Sequence, residues 1–237
     1  MDYFAKIPLK YVNCNLEESF DAPSCLYSVY FIIADRRDRY DQAAFSIGNI
    51  LDLYKVKFTP RKPKLFKDIV KSLLFLQSEG LIRIEQDLDK VRYDTFIRVQ
   101  TNPDFEVCSY FVKFSKSELE NILDMDSTIN KDILIHSYLY VKSHIYKRFS
   151  DLEDTSSAPE AFFKSIRSSA LEIGVSKNTF HSCLKALCSG DNALLISGNQ
   201  VSSKEEQGCF SPRAIVLNEH GWEDELRAAT IMLKNQW

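Results

Sequence analysis

"ALEIGVSKNTFHSCLKAL", residues 170–187, holds an alanine, a glycine four positions on, and a serine and lysine ahead of an apolar ladder. Two helices that cross closely need a small residue in the first and a turn position tolerant of unusual backbone angles between them. Ala170 and Gly174 meet those needs, and Ile173, Val175, Phe180 and Leu184 supply apolar contacts to hold the crossing. Ser176 stands at the N-cap position, where its hydroxyl can accept a free backbone N–H. Lys177, Asn178, His181 and Ser182 then fall on the outward side of the second helix, as in a helix-turn-helix whose second helix reaches phosphates or base edges of double-stranded DNA. A ligand-free amphipathic helix pair satisfies the same loose pattern. The surrounding sequence decides between them.

Downstream, the β-prone runs "ALLISG" (193–198) and "RAIVLN" (213–218) flank the loop "NQVSSKEEQGCFSP" and read as a hairpin. Upstream, "NKDILIHSYLYVKSHIYKRF" reads as a long aromatic-rich helix, "DLEDTSSAP" as a polar break and "EAFFKSIRSSALEIG" as the next helix. The first half has the same layout. "SCLYSVYFIIA" (24–34) is a buried helix or strand, and "FSIGNILDLYK" a short helix. "KLFKDIVKSLLFLQSEGLIRI" carries a helical stripe of Leu65, Phe66, Ile69, Val70, Leu73, Leu74 and Leu76, with Gly80 where a helix stop is expected. "LIRIEQDLDKVRYDTFIRVQ" then folds back as a second hairpin across its acidic turn. Helix, helix and hairpin is the order of a winged helix-turn-helix. The expected fold is therefore mainly α with small β-hairpins (α+β), as tandem winged helix-turn-helix units over 1–101 and 130–218. Residues 102–129, with one β-like run and the short helix "KSELENILDM", form the connector, and 219–237 a C-terminal helix. The halves share no detectable identity, so the repeat is one of layout.

The formal net charge of −3 gives no global argument for nucleic acid. The distribution does. From Lys55 to Lys71 there are seven basic residues and one acid, Asp68, an excess of six. Arg61, Lys62, Lys64, Lys67 and Lys71 are the candidate phosphate contacts, although a solvated helix face reads the same way. Acids gather in "SELENILDMD" and "EHGWEDEL", giving a two-faced molecule.

No run approaches the roughly 18 apolar residues of a membrane span, and the opening "MDYFAKIPLKYV" has no secretory core, so a cytoplasmic protein with no membrane partner is expected. The cysteines at 14, 25, 108, 183, 188 and 209 form no C-x-x-C pair. His181, Cys183 and Cys188 spread around one helix and do not converge on an ion. Neither a metal nor another cofactor is expected. Nor is catalysis: phosphate-cradling glycine motifs, the nucleophile elbow and H-E-x-x-H are all missing.

The layout of "YFAKIPLKYV", "CLYSVYFIIADRRDRY", "FSIGNILDLYK" and "FKDIVKSLLFLQSEGLIRI", supported by 130–187, resembles replication initiators and replisome organisers of plasmids and phages from Gram-positive bacteria, with DnaD-like or RepA-like winged helices. The resemblance covers most of residues 3–217 without a diagnostic motif. It implies double-stranded DNA and other replication proteins as partners. The proline-rich linker "KVKFTPRKP" and the acidic total depart from the pattern. Transcription control, and protein docking without DNA, are the alternatives. The tail "NEHGWEDELRAATIMLKNQW" reads as a helix with acids in its first turn, Lys234 in its last, and an apolar face that packs on its own unit or on a second copy in a homodimer.

Overall fold

The computed structural model describes residues 3–13, 24–56, 64–145, 159–198 and 213–236. The fold is mixed α+β with small antiparallel sheets. In the first half, α2 (Leu26–Arg36) leads into β2 (Gln42–Ser46), α3 (Ile47–Leu53), α4 (Lys64–Ser78), β3 (Ile82–Ile84) and β4 (Phe96–Thr101). These strands form one sheet in the order β2-β4-β3. Period-two alternation explains the strands: Ala43, Phe45, Ile97 and Val99 point into the core, while Gln42, Ala44, Phe96, Arg98 and Gln100 point out.

The second half repeats the order. α6 (Lys131–Ser143) precedes an extended Phe162, then α7 (Ile166–Glu172), α8 (Lys177–Leu187), β6 (Leu195–Ser197) and β7 (Ile215–Leu217). Phe162 bridges Ile215 antiparallel and β6 pairs with β7, so the extended segments again lie in the order first, third, second. The sequence pattern predicts a helix through 160–174. It begins only at Ile166, capped by Ser165, because Phe162 exchanges backbone hydrogen bonds with Ile215 at 2.7 and 3.2 Å. A single bridging residue is too short to leave a period-two signature.

A ribbon of β1 (Phe4–Pro8) and β5 (Phe111–Ser115) stands apart from both sheets. It ties the chain start to the segment expected as a connector, with α1 (Leu9–Val12) and α5 (Lys116–Asp124) directly after its strands. α5 opens with a capping box: Ser115 accepts from the Glu118 N–H, and the Glu118 carboxylate accepts from the Ser115 N–H.

One continuous apolar core runs through both halves. Its centre is α6, where Leu134, Ile135, Tyr138, Leu139, Tyr140 and Val141 are all buried, the composition of a helix covered on every side. α6 meets α2 on one side and α8 on another. A polar joint crosses the same boundary. Asp132 of α6 accepts hydrogen bonds from the Tyr54 hydroxyl at 2.5 Å and the Cys25 thiol at 3.5 Å. Burial raises the Asp132 pKa, partly offset by those donors.

The C-terminal helix α9 (Trp222–Gln236) has Glu223, Asp224 and Glu225 in its first turn and Lys234 in its last, matching the dipole argument. Ala229 and Leu233 pack with Ala161, Ala214 and Val216 in a small second core. The chain's own second half thus takes up the inner part of the tail's apolar face.

Candidate nucleic-acid interface

The α7–α8 turn is built as its residues dictate. α7 closes with a Schellman motif: Val175 N–H donates to Ala170 C=O at 2.9 Å and Gly174 N–H to Leu171 C=O at 3.2 Å. Gly174 takes φ +70°, the left-handed region where a side chain is strained. Two residues later Ser176 caps α8, its hydroxyl accepting from the Thr179 N–H at 3.0 Å. Ala170, Ile173, Phe180, Cys183, Leu184 and Leu187 are buried. Phe180 and Phe162 each meet the Tyr140 ring edge-on, with centroids 6.0 and 6.1 Å away.

That burial leaves Lys177, Asn178, His181 and Ser182 exposed on one side of α8, as expected, and adds Lys185 to them. Lys185 lies four residues after His181, so the same spacing would have found it.

Behind this surface a buttress sets the angle of α7 on α6. The Glu172 carboxylate accepts from Tyr140 at 2.7 Å, Lys164 at 2.8 Å and Ser168 at 3.1 Å. Burial works against ionisation of Glu172, but these donors hold its carboxyl below the usual range. His144 joins the group through Lys164, 3.0 Å from its Nε2.

In the first half, α4 buries Phe66, Ile69, Leu73 and Leu76 and exposes Lys64, Lys67 and Lys71 at spacings of three and four residues. None of the three has an ion pair among the described residues, whereas Lys55 pairs with Asp124 at 2.7 Å. Arg61 and Lys62 lie outside the described residues. α4 also ends in a Schellman motif, with Leu81 N–H to Leu76 C=O and Gly80 N–H to Gln77 C=O both at 3.0 Å.

The β3–β4 loop folds back onto α3. Gly48 N–H donates to Tyr93 C=O at 2.9 Å, and the Tyr93 hydroxyl donates to Asp52 at 2.8 Å. A Cβ at Gly48 would stand 2.9 Å from the Tyr93 ring, so only glycine admits this approach. The loop is thereby held beside α4's half and carries Arg92, with Arg98 in the middle of β4's outward face, both exposed. Neither was among the residues singled out in the sequence.

No group of three or more His, Cys, Asp or Glu among the described residues could hold a metal ion. Cys183 is buried, with burial raising its thiol pKa, and burial pushes the half-buried Cys188 up to about 11, while His181 is exposed. No described helix is long and apolar enough to cross a membrane. No protein-family model matches the chain, and no curated protein matches its sequence.

Proposed function

We propose that the chain binds duplex DNA through two winged-helix units in tandem, with α4 and α8 entering the major groove. One observation carries this reading: helix, extended segment, helix, helix, strand, strand occurs twice with the same pairing order, the extended segment being β2 in the first half and the single bridging residue Phe162 in the second, and the third helix of each set turns an exposed basic or polar face outward. In helix-turn-helix readers the second helix of the motif lies in the groove, the position α4 and α8 hold here. Lys64, Lys67 and Lys71 would neutralise phosphates. Lys177, Asn178, His181 and Ser182, extended by Lys185, would face base edges and adjacent phosphates. The β3–β4 loop, with Arg92, is the first unit's wing.

On the resemblance of layout, we further propose a role in initiating or organising replication of a plasmid or phage, with other replication proteins as partners. A transcriptional regulator would use the same surfaces.

Binding of a duplex pool by variants tests the assignment. Replacing Lys64, Lys67 and Lys71 together by Gln is expected to weaken binding to all sequences alike. Asn178→Ala is expected to cost roughly 1–3 kcal/mol and to relax preference at a single position. If the lysine triple variant binds as the native chain does, α4 is not part of the footprint. If neither change matters and the chain is folded, the units are protein-docking modules.

A further inference from the structure

The β1–β5 ribbon belongs to neither repeated unit. One of its faces, Ala5, Ile7, Val112 and Phe114, is buried. The other presents Phe4, Lys6, Phe111 and Lys113. Lys6 stands directly across from Lys113, a pairing of like charges that destabilises a sheet. Each ammonium lies over a ring of the opposite strand, Lys6 at 5.1 Å from the Phe111 centroid and Lys113 at 4.9 Å from that of Phe4. Neither lysine has an ion pair among the described residues. Glu106 reaches the ribbon but is engaged by the Lys6 backbone N–H at 3.0 Å and by Arg37 at 2.7 Å.

The two edges differ. Glu106 caps the Lys6 N–H on the outer edge of β1, and Pro8 has none to offer. On β5 the N–H groups of Phe111 and Lys113 point away from β1, and no strand covers that edge among the described residues. Apolar exposure is concentrated here as well. Of nine exposed large hydrophobic side chains among the described residues, four are Tyr3, Phe4, Val107 and Tyr110, on the ribbon or the loop leading into it. Of these, Phe4 lies on the Lys6–Lys113 face, whereas Tyr3 turns its ring edge-on to the buried Phe31 behind the ribbon.

We propose that this ribbon is a platform for single-stranded nucleic acid, with a phosphate between Lys6 and Lys113 and bases stacked on Phe4 and Phe111. An anion between the lysines relieves their repulsion, and the β5 edge supplies backbone donors to the same strand. Aromatic rings beside basic groups bind unpaired bases without sequence preference, because every base has a π-face. A duplex keeps its bases stacked internally and gains nothing from the rings, so the ribbon discriminates against it.

Anisotropy of labelled oligo(dT) on the full chain tests this, with the duplex pool as control. Lys6→Gln with Lys113→Gln is expected to reduce oligo(dT) affinity and to lower the log–log salt slope by about 0.7, the value for one phosphate on a single strand. Phe4→Leu with Phe111→Leu retains apolar bulk and is expected to weaken oligo(dT) binding about tenfold through lost stacking. Both variants should melt cooperatively near the native temperature and bind duplex unchanged. Native-like oligo(dT) binding by the variants overturns the proposal, as does an equal loss of duplex binding. A native chain that ignores oligo(dT) also overturns it, and self-association lost in the Phe4/Phe111 variant would make the ribbon a contact between copies.

Discussion

His136 is half-buried, its Nε2 2.8 Å from the Val12 carbonyl and its ring 5.2 Å from that of Tyr27. Burial lowers its pKa below the ordinary 6.5, against the smaller opposing pull of the Val12 carbonyl. The unfolded chain therefore takes up a proton at this site before the folded chain does, so stability is full above about pH 6.5 and falls as the pH is lowered towards the folded pKa. His144, lowered by burial in the same direction, adds a loss of the same sign. Thermal unfolding followed between about pH 5 and 7 should show this decline. It should be shallower in His136→Gln, which keeps a donor for Val12 but does not titrate; an equal slope in that variant would remove His136 from the explanation. The long aromatic-rich helix that carries His136 was legible in the sequence. The partner of His136 at Val12, 124 residues away, was not, because a buried carbonyl leaves no mark on composition.

Among the elements, the α7–α8 turn was the most readable. Small residue, glycine, cap and apolar ladder are local requirements, and each is met by the residue named for it. Gly174→Ala tests the element directly. Nothing lies within 4 Å of where the new Cβ would sit, so the change is one of backbone conformation alone. A left-handed alanine is expected to lower stability by about 1–2 kcal/mol in chemical denaturation, with duplex affinity reduced only as the α7–α8 angle shifts. A loss near zero would mean that the turn has another accessible form. Phe162 and the β1–β5 ribbon were less readable. The first is a one-residue bridge, and the second pairs Phe4 with Ser115 across the whole first half, a match that no local pattern announces. The α4 lysines stood out by charge and Lys185 follows from helical spacing, while Arg92 and Arg98 depend on which side of an element the core takes.

At the scale of the whole molecule, the halves were legible as a repeated layout, but their junction was not. The shared core around α6 and the Asp132 joint to Tyr54 and Cys25 make the two proposed DNA-reading units one body, so their footprints on a duplex should be fixed relative to each other. A net charge of −3 makes the local basic faces, and not the total, responsible for any attraction to DNA. The measurement that bears most directly on this is the affinity of the intact chain for a duplex pool across a range of salt. The account predicts a linear fall of log affinity with log salt, with a slope of about −0.9 for each phosphate neutralised, made shallower by nearly one for each of Lys64, Lys67 and Lys71 replaced by Gln. Affinity that is absent at low salt, or that is indifferent both to salt and to the loss of those lysines, would contradict it.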